Sequence, residues 1–222
     1  MNIFNIIGPV MIGPSSSHTA GACRLGRMVN KVVDEEELSE VSIQLSGSFA
    51  RTYKGHGTDL AILAGIMGYN TWSEEIRNAF EIAAERGLKY EFIPKDIPGA
   101  HPNTAKISYV CKSGKTGCVE GASIGGGNIR VDNIDGMSVK FSGENNAIFI
   151  LHRDKPGAIA GVTNLMYWKY SNLNICTFQL SRKEKGGVAL MKMELDDCPP
   201  EELIHDIKSL DNIYNAILIK AL

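Results

Sequence analysis

The spacing of apolar residues changes along the chain between a helical period and an alternating, strand-like one, which predicts a mixed fold. Helical spacing covers three segments early in the chain, at residues 20–30, 58–67 and 73–86. Alternating patterns predict strands at residues 41–49, 90–93, 104–111, 117–124 and 129–141. Residues 50–57 are predicted to form a loop after the first strand. Together these elements make up a first predicted domain, residues 1–143.

A second predicted domain, residues 147–222, follows the polar, turn-forming segment Ser142–Asn146. Its pattern indicates a strand, a helix from Pro156, two strands separated by Lys183–Gly187, a helix after Pro199-Pro200 and a final strand. The order βαββαβ favours a four-stranded antiparallel sheet with both helices on one face, a ferredoxin-like unit. We therefore predict an α+β protein of two domains.

The composition of the 222-residue chain favours a globular protein with a small ligand. Its 44% apolar residues suffice for one large core or two small ones. The net charge is only -2 and basic residues form no stripe, so neither nucleic acid nor an anionic membrane is an expected partner. No apolar run approaches the ~20 residues that span a bilayer, and residues 1–4 lack the start of a secretion signal. We therefore expect a cytoplasmic protein.

The cysteines argue against a disulfide framework and against a metal centre on this chain. They are odd in number, widely scattered and form no C-x-x-C pair: Cys23, Cys111, Cys118, Cys176 and Cys198. The glycines, including Gly125–Gly127, form neither a G-x-G-x-x-G nor a G-x-x-x-x-G-K-S/T pattern. We therefore expect no metal ligands and no nucleotide-binding motif.

A dense group of hydroxyls and an imidazole marks the start of the first helix. Ser15, Ser16, Ser17, His18 and Thr19 follow a Gly-Pro turn directly. A helix start has free N–H groups and a partial positive charge, so it can hold a carboxylate or phosphate, while a neutral imidazole beside it can accept a proton. N-capping alone explains one hydroxyl but not three with a histidine. We predict an anion-binding and proton-transfer site.

Four motifs in one order resemble the β subunit of iron-sulfur-dependent L-serine dehydratase. They are residues 8–21, Gly55–Asp59, His101–Thr104 and Ser123–Gly127. The segment Asp154–Gly157 in the second domain is similar to the first turn of an ACT domain. The first domain resembles the allosteric substrate-binding domain of some phosphoglycerate dehydrogenases.

The resemblance implies an enzyme that converts L-serine to pyruvate and ammonia without pyridoxal phosphate. In this family a 4Fe-4S cluster is carried by an α subunit or α domain, where one iron binds the serine hydroxyl. The chain carries no cluster cysteines, so the resemblance implies a cluster-bearing α subunit as partner and little activity for this chain alone. Removal of the α-proton is left to a base, and a neutral imidazole can contribute about a hundredfold or more.

Site residues follow from the local chemistry together with the resemblance. We expect Ser15, Ser16, Ser17 and Thr19 to bind the substrate carboxylate. His56 and His18 are both candidates for the base, with a slight preference for His56 because its flanking glycines leave its side chain uncrowded. Asn103 is a further candidate because its amide can both donate and accept.

In the ACT-like domain the turn at Asp154 and Gly157 opens a helix whose free N–H groups are suited to an amino-acid carboxylate. His152 and Asn174 are expected to line the same cleft, and L-serine is the expected regulatory ligand. The turn is also required by the fold whether or not a ligand binds. Pairing of two such domains at an exposed sheet edge predicts a homodimer.

Two other classes of function remain open from the sequence. A non-catalytic regulatory subunit needs contacts for carboxylate and ammonium but no neutral base, so the hydroxyl and imidazole cluster favours a shared active site. A pyridoxal-phosphate dehydratase is disfavoured because no phosphate-binding glycine loop accompanies an identifiable Schiff-base lysine.

Overall fold

The computed structural model describes residues 9–33 and 36–221, which form two compact units. The first unit extends to Asp135 and includes Lys140–Ser142, and the second comprises Gly136–Val139 and the chain from Gly143 onward. The N-terminal residues 1–4 considered above for a secretion signal, and Gly8 of the first motif, lie outside the described residues. The change from one unit to the other falls between residues 135 and 143.

The chain up to Phe141 forms helical segments and the strands of one sheet. They are, in chain order, a π-helical turn (Ser16–Ala20) that leads into α1 (Gly21–Val33), then β1 (Leu38–Leu45), α2 (Ser48–Thr52), α3 (Thr58–Ile66), a 3-10 turn (Glu74–Asn78) that leads into α4 (Ala79–Glu85), β2 (Lys89–Pro94), β3 (Thr104–Cys111), β4 (Thr116–Gly125), β5 (Asn128–Ile134) and β6 (Met137–Phe141). The sheet order is β2-β1-β3-β4-β5-β6. Strand β2 is parallel to β1, whereas β1, β3, β4 and β5 are antiparallel to one another in turn.

The core of the first unit lies between the sheet and helices α1 and α3. Val41, Ile43 and Leu45 alternate with less buried residues along β1, so one face of this strand carries the apolar side chains. Helix α1 packs on β3, β4 and β5, and α3 packs on α1. A Cβ at Gly26 would lie 2.1 Å from the Ile62 carbonyl oxygen. The two helix backbones therefore touch at this glycine.

The sequence prediction of a strand over residues 41–49 is wrong at its end. Strand β1 stops at Leu45, and the chain turns at Gly47 (φ 58°), whose N–H donates to Asp96 Oδ1 (2.8 Å). A Cβ on Gly47 would lie 2.6 Å from the Pro102 carbonyl oxygen, so no larger residue fits this turn without a backbone shift. The following residues form helix α2 instead of continuing the strand or forming the predicted loop.

The second unit has the predicted βαββαβ order. Its elements are β7 (Asn146–Arg153), α5 (Ala158–Lys169), β8 (Ile175–Arg182), β9 (Val188–Leu195), α6 (Glu201–Lys208) and β10 (Ile213–Ile219). The antiparallel sheet has the order β10-β7-β9-β8. Both helices bury apolar residues against the same strand residues, Ile148 and Ile150 among them. The α+β fold class with a ferredoxin-like second unit is therefore confirmed.

The helices of the described ranges are short, since α1, the longest, has 13 residues. None of them combines the length and apolar character needed to cross a membrane.

Candidate active site

The hydroxyl cluster lies at the start of α1, where the chain forms a wide π-helical turn. Ser15 is extended (φ -142°) and occupies the N-cap position, and its Oγ accepts the His18 N–H (3.2 Å). The structural role of Ser15 as a cap is therefore real. Ser16 and Ser17 are half-buried and carry hydroxyls on the same turn. Turns of this wide type are frequent at functional sites.

The imidazole of His18 is held on both nitrogens and by two rings. Ser17 Oγ lies 3.0 Å from Nδ1, and Ser48 Oγ lies 3.1 Å from Nε2. The Phe49 ring meets the His18 ring edge-on with centroids 5.2 Å apart. Burial lowers the pKa of His18 below its ordinary value, and the neighbouring His56 lowers this pKa further. His18 is therefore neutral at pH 7 and fixed in orientation.

His56 lies in the loop between α2 and α3, next to His18. The two ring centroids are 4.9 Å apart and the ring planes are inclined at 41°. Thr19 Oγ1 donates to the His56 carbonyl (3.2 Å), and the His56 N–H donates to the Thr52 carbonyl (3.1 Å). In the part of the chain that the structure describes, the hydrogen bonds of His56 thus use its backbone. Its ring nitrogens remain available to a ligand.

The Thr19 side chain, predicted to bind the substrate carboxylate, lies in the core and contacts the His56 loop. Its side chain is buried (1% exposed) and its hydroxyl is engaged by the His56 carbonyl. This geometry argues against Thr19 as a carboxylate-binding residue. It fixes the position of the His56 loop relative to α1 instead.

The His101–Thr104 segment is brought to the same region by backbone contacts. The Pro102 carbonyl accepts the Phe49 N–H (3.3 Å), and the Asn103 carbonyl accepts the Ser123 N–H (3.0 Å). His101 Nδ1 accepts the Asn103 N–H (3.2 Å), so that nitrogen is occupied within the loop. Asn103 Oδ1 is buried and has no hydrogen-bond partner among the residues that the structure describes. A buried amide oxygen in this state is suited to a donor supplied by a ligand.

The Ser123–Gly127 motif packs against the start of α1. A Cβ at Gly21 would lie 2.1 Å from Ser123 Oγ, which is buried and has no hydrogen-bond partner. The Gly127 carbonyl accepts from Arg24 Nη1 (2.8 Å). The structure therefore brings all four sequence motifs to one region of the first unit.

Sequence reasoning missed Ser48, whose Oγ contacts His18 Nε2, and Phe49, whose ring meets the His18 ring edge-on. The mistaken extension of the first strand hid them, because it assigned both residues to a strand. The available signal was Gly47, since a glycine inside a strand pattern indicates a bulge or a turn.

The described residues do not fit a resident metal cluster. Among residues 9–33 and 36–221, no group of three or more His, Cys, Asp and Glu side chains is placed to hold a metal ion. Burial raises the pKa of Cys23 to about 12, and burial also raises the pKa of Cys111 and of Cys118. Without a metal, these three thiols are protonated at pH 7.

In the second unit, the turn after β7 brings together three of the four predicted ligand residues. Asp154 Oδ2 accepts from the Gly186 N–H (2.8 Å) and from Arg182 Nη1 (2.5 Å), and these contacts hold the pKa of Asp154 below its ordinary value. His152 is buried, its Nδ1 lies 2.8 Å from the Arg153 carbonyl oxygen, and its Nε2 has no hydrogen-bond partner within residues 9–33 and 36–221. Gly157 occupies the N-cap position of α5.

Asn174 does not join this group within one chain, which corrects the prediction of a shared cleft. His152 pairs with Ala189 on β9, whereas Ile175, the neighbour of Asn174, pairs with Leu195 at the other end of the same strand. Six residues of strand separate the two ends, or about 20 Å at ~3.4 Å per residue. Asn174 Nδ2 donates to Asp196 Oδ2 (2.6 Å) instead.

Comparisons with known proteins extend over almost the whole chain. A family model described as serine dehydratase beta chain matches residues 2–89. The chain is 42% identical over 218 residues to the probable L-serine dehydratase, beta chain, of Bacillus subtilis (strain 168), covering 98% of this chain and 97% of that protein. It is 35% identical over 214 residues to the L-serine dehydratase, beta chain, of Peptoniphilus asaccharolyticus, covering 96% and 95%.

A more distant similarity concerns another enzyme. The D-3-phosphoglycerate dehydrogenase of Bacillus subtilis (strain 168) is 26% identical over 200 residues, which is 89% of this chain but 37% of that protein. This similarity supports the substrate-binding and ACT-like fold of the two units.

The fold and the site define a two-unit α+β protein whose first unit presents hydroxyls and imidazoles at a helix start. The sequence similarity to the two β chains over nearly the whole length of the chain then identifies its family. The chain belongs to the L-serine dehydratase β-chain family.

Proposed function

We propose that this chain is the β subunit of an L-serine ammonia-lyase and supplies substrate-binding and proton-transfer residues to an active site shared with a cluster-bearing α subunit. The names of the two β-chain relatives support L-serine as substrate and a second chain as partner. The observation that carries the proposal is the placement of the His56 ring, with its nitrogens available, 4.9 Å from a His18 ring that is already held by serine hydroxyls.

Binding of the substrate uses the start of α1. Ser16 and Ser17 donate hydrogen bonds to the L-serine carboxylate, with Ser15 completing the turn as its cap. Asn103 Oδ1, which is buried and unpaired, accepts from the substrate ammonium group. These contacts place the α-carbon towards His56.

The His56 imidazole removes the α-proton. The electron pair of the C–H bond forms the carbon–carbon double bond as the β-hydroxyl leaves, and the resulting aminoacrylate tautomerises and is hydrolysed to pyruvate and ammonia. Between the two candidate bases, His56 is favoured because both nitrogens of His18 already contact serine hydroxyls. A general base of this kind contributes about 10²- to 10⁴-fold to the rate.

Departure of the hydroxyl needs a group that the described residues of this chain do not supply. We propose that a 4Fe-4S cluster on the α subunit acts there as a Lewis acid, with no need for pyridoxal phosphate. The β subunit provides the residues around the carboxylate and the α-carbon.

Anaerobic co-purification with the α subunit tests this division of labour. We expect pyruvate formation from L-serine only when both chains are present, since base and Lewis acid lie on different chains. Each chain alone and the mixture are assayed at equal concentration. Full activity of the α chain alone would contradict the proposal.

A regulatory role of the second unit is supported by a different observation. The buried Nε2 of His152 has no partner and lies at the strand end that leads into the start of α5. We propose that L-serine binds there as a regulatory ligand through its carboxylate. An edge strand, β8, carries exposed Phe178 and Leu180, which suits homodimerisation through this unit.

Replacement of Asp154 by alanine is expected to weaken the binding of L-serine to the second unit about tenfold. The carboxylate of Asp154 ties the turn to Arg182 and Gly186, so its loss releases the start of α5. Isothermal titration of the full chain with L-serine measures this effect. Asp211→Ala, at an exposed aspartate in the turn before β10, is the matched control. Equal heats for the wild type and Asp154→Ala would contradict the regulatory site.

A further inference from the structure

The hydroxyl of Ser48 faces His18 from a part of the chain that no sequence motif included. Ser48 is the first residue of α2, and its Oγ lies 3.1 Å from His18 Nε2. In the ranges that the structure describes, this nitrogen is the side-chain partner of Ser48 Oγ. Two hydrogen bonds hold the backbone at Ser48 and at its neighbour: the Gly47 N–H donates to Asp96 Oδ1, and Thr52 Oγ1 donates to the Ser48 carbonyl (2.8 Å each).

The proton on a neutral imidazole can sit on only one of the two nitrogens, so the two serine hydroxyls around His18 must take opposite roles. If Nε2–H donated to Ser48, the Ser48 O–H would have no acceptor within the described residues. If Ser48 donates to Nε2, its O–H is satisfied and the ring proton lies on Nδ1. The Nδ1–H then donates to Ser17 Oγ, which lies 3.0 Å away. In this second arrangement the Ser17 O–H has Ser15 Oγ within 3.4 Å, whereas in the first the Ser48 O–H has no acceptor among the described residues, so the second arrangement is favoured.

This arrangement decides what the Ser17 hydroxyl can do. Because Ser17 Oγ accepts from His18, its own O–H is directed elsewhere, either to Ser15 Oγ at 3.4 Å or to a bound anion. The 3.4 Å contact is long for an O–H···O bond, and a carboxylate oxygen is the stronger acceptor. Ser17 is thereby kept as a donor towards the carboxylate.

We infer that Ser48 is a positioning residue that acts through His18: its hydroxyl donates to Nε2, holds the ring proton on Nδ1 and keeps the Ser17 hydroxyl as a donor to an anionic substrate. The last step rests on the proposed binding of L-serine at this helix start. The first step concerns this chain alone.

Nitrogen NMR of the full chain tests the first step. The chain has five histidines, and ¹⁵N labelling of histidine at pH 8 reports which nitrogen of each carries the proton. In the wild type we expect protonated Nδ1 and unprotonated Nε2 for His18. Ser48→Ala is expected to shift His18 towards the Nε2–H tautomer, and Ser48→Thr, which keeps the hydroxyl, is expected to restore the wild-type shifts.

Ser42→Ala is the matched control, because Ser42 is also half-buried and its hydroxyl bonds a single side chain, Glu91. Its histidine shifts should equal those of the wild type. Identical His18 shifts in the wild type and Ser48→Ala would overturn the inference, whatever the enzyme assays show.

Steady-state kinetics of the assembled enzyme tests the second step. We expect Ser48→Ala to raise KM for L-serine about three- to tenfold, the equivalent of one neutral hydrogen bond, with kcat changed less than about twofold. Ser48→Thr should restore KM. A changed tautomer with an unchanged KM would overturn the link from Ser48 to Ser17. If Ser17→Ala also leaves KM unchanged, the proposed carboxylate site itself is wrong, which separates the two failures.

Discussion

The variant His56→Ala is expected to lower pyruvate formation by the assembled enzyme by about 10²- to 10⁴-fold, the contribution of a positioned general base. The His56 ring has its nitrogens available beside a neutral His18, whereas the His56 backbone is held by Thr19 and Thr52. Removal of the ring therefore deletes the proton acceptor and leaves the loop anchored. KM for L-serine is expected to stay within about threefold, because the carboxylate contacts come from other residues.

His205→Ala is the control for this experiment, since His205 is an exposed histidine on α6 in the second unit. Its turnover should match the wild type. Cluster content of each preparation is measured so that a loss of the cluster is not mistaken for a loss of the base. Wild-type kcat in His56→Ala with an intact cluster would remove His56 from the mechanism, and His18→Ala would then decide whether the other imidazole is the base.

A second large effect is expected from Gly65→Ala, which should destabilise the first unit by about 3 kcal/mol or more. The added Cβ would lie 2.0 Å from the Cys23 carbonyl oxygen and 2.9 Å from the Arg27 nitrogen, both of which are backbone atoms of α1. No side-chain rotation can relieve this overlap, so α1 and α3 must move apart. The free energy of unfolding from urea titrations, followed by circular dichroism, measures the loss.

Gly161→Ala serves as the control in the interior of α5. A Cβ there would meet nothing within 4 Å, so alanine should stabilise the second unit by about 0.5–1 kcal/mol through its higher helix propensity. If the two substitutions change the free energy of unfolding in opposite directions, the close approach of α1 and α3, and not the loss of a glycine, causes the destabilisation. A urea unfolding midpoint of Gly65→Ala equal to that of the wild type would contradict this account of the packing.

The ferredoxin-like unit could be predicted from the sequence because local patterns decide it. Each of its strands and helices shows its own regular spacing of apolar residues, and turn-forming residues separate one element from the next. The order of the elements then limits the topology to few arrangements. The hydroxyl cluster could be predicted for the same reason, since Ser15 to His18 are adjacent in sequence and lie at one helix start.

The rest of the site depends on contacts between distant segments, which no local pattern records. The partner of His18 Nε2 lies 30 residues further along the chain, and the hydrogen bond from Thr19 to His56 spans 37 residues. The strand register that separates Asn174 from His152 is set by pairing with β9, so a resemblance in motif could not place Asn174. The burial of Thr19 is likewise a property of the packed core, which a local pattern does not record.

The hydrogen bond from Thr19 to the His56 carbonyl fixes the position of the His56 loop relative to the first turn of the site. One end is the Ser17 hydroxyl on the first turn, and the other is an imidazole whose centre is 4.9 Å from that of His18. In the proposed reaction the substrate carboxylate lies at this first turn, so the Thr19 hydrogen bond keeps the proton acceptor beside the carboxylate site. A single hydroxyl in the core thus anchors the loop that carries the proposed base.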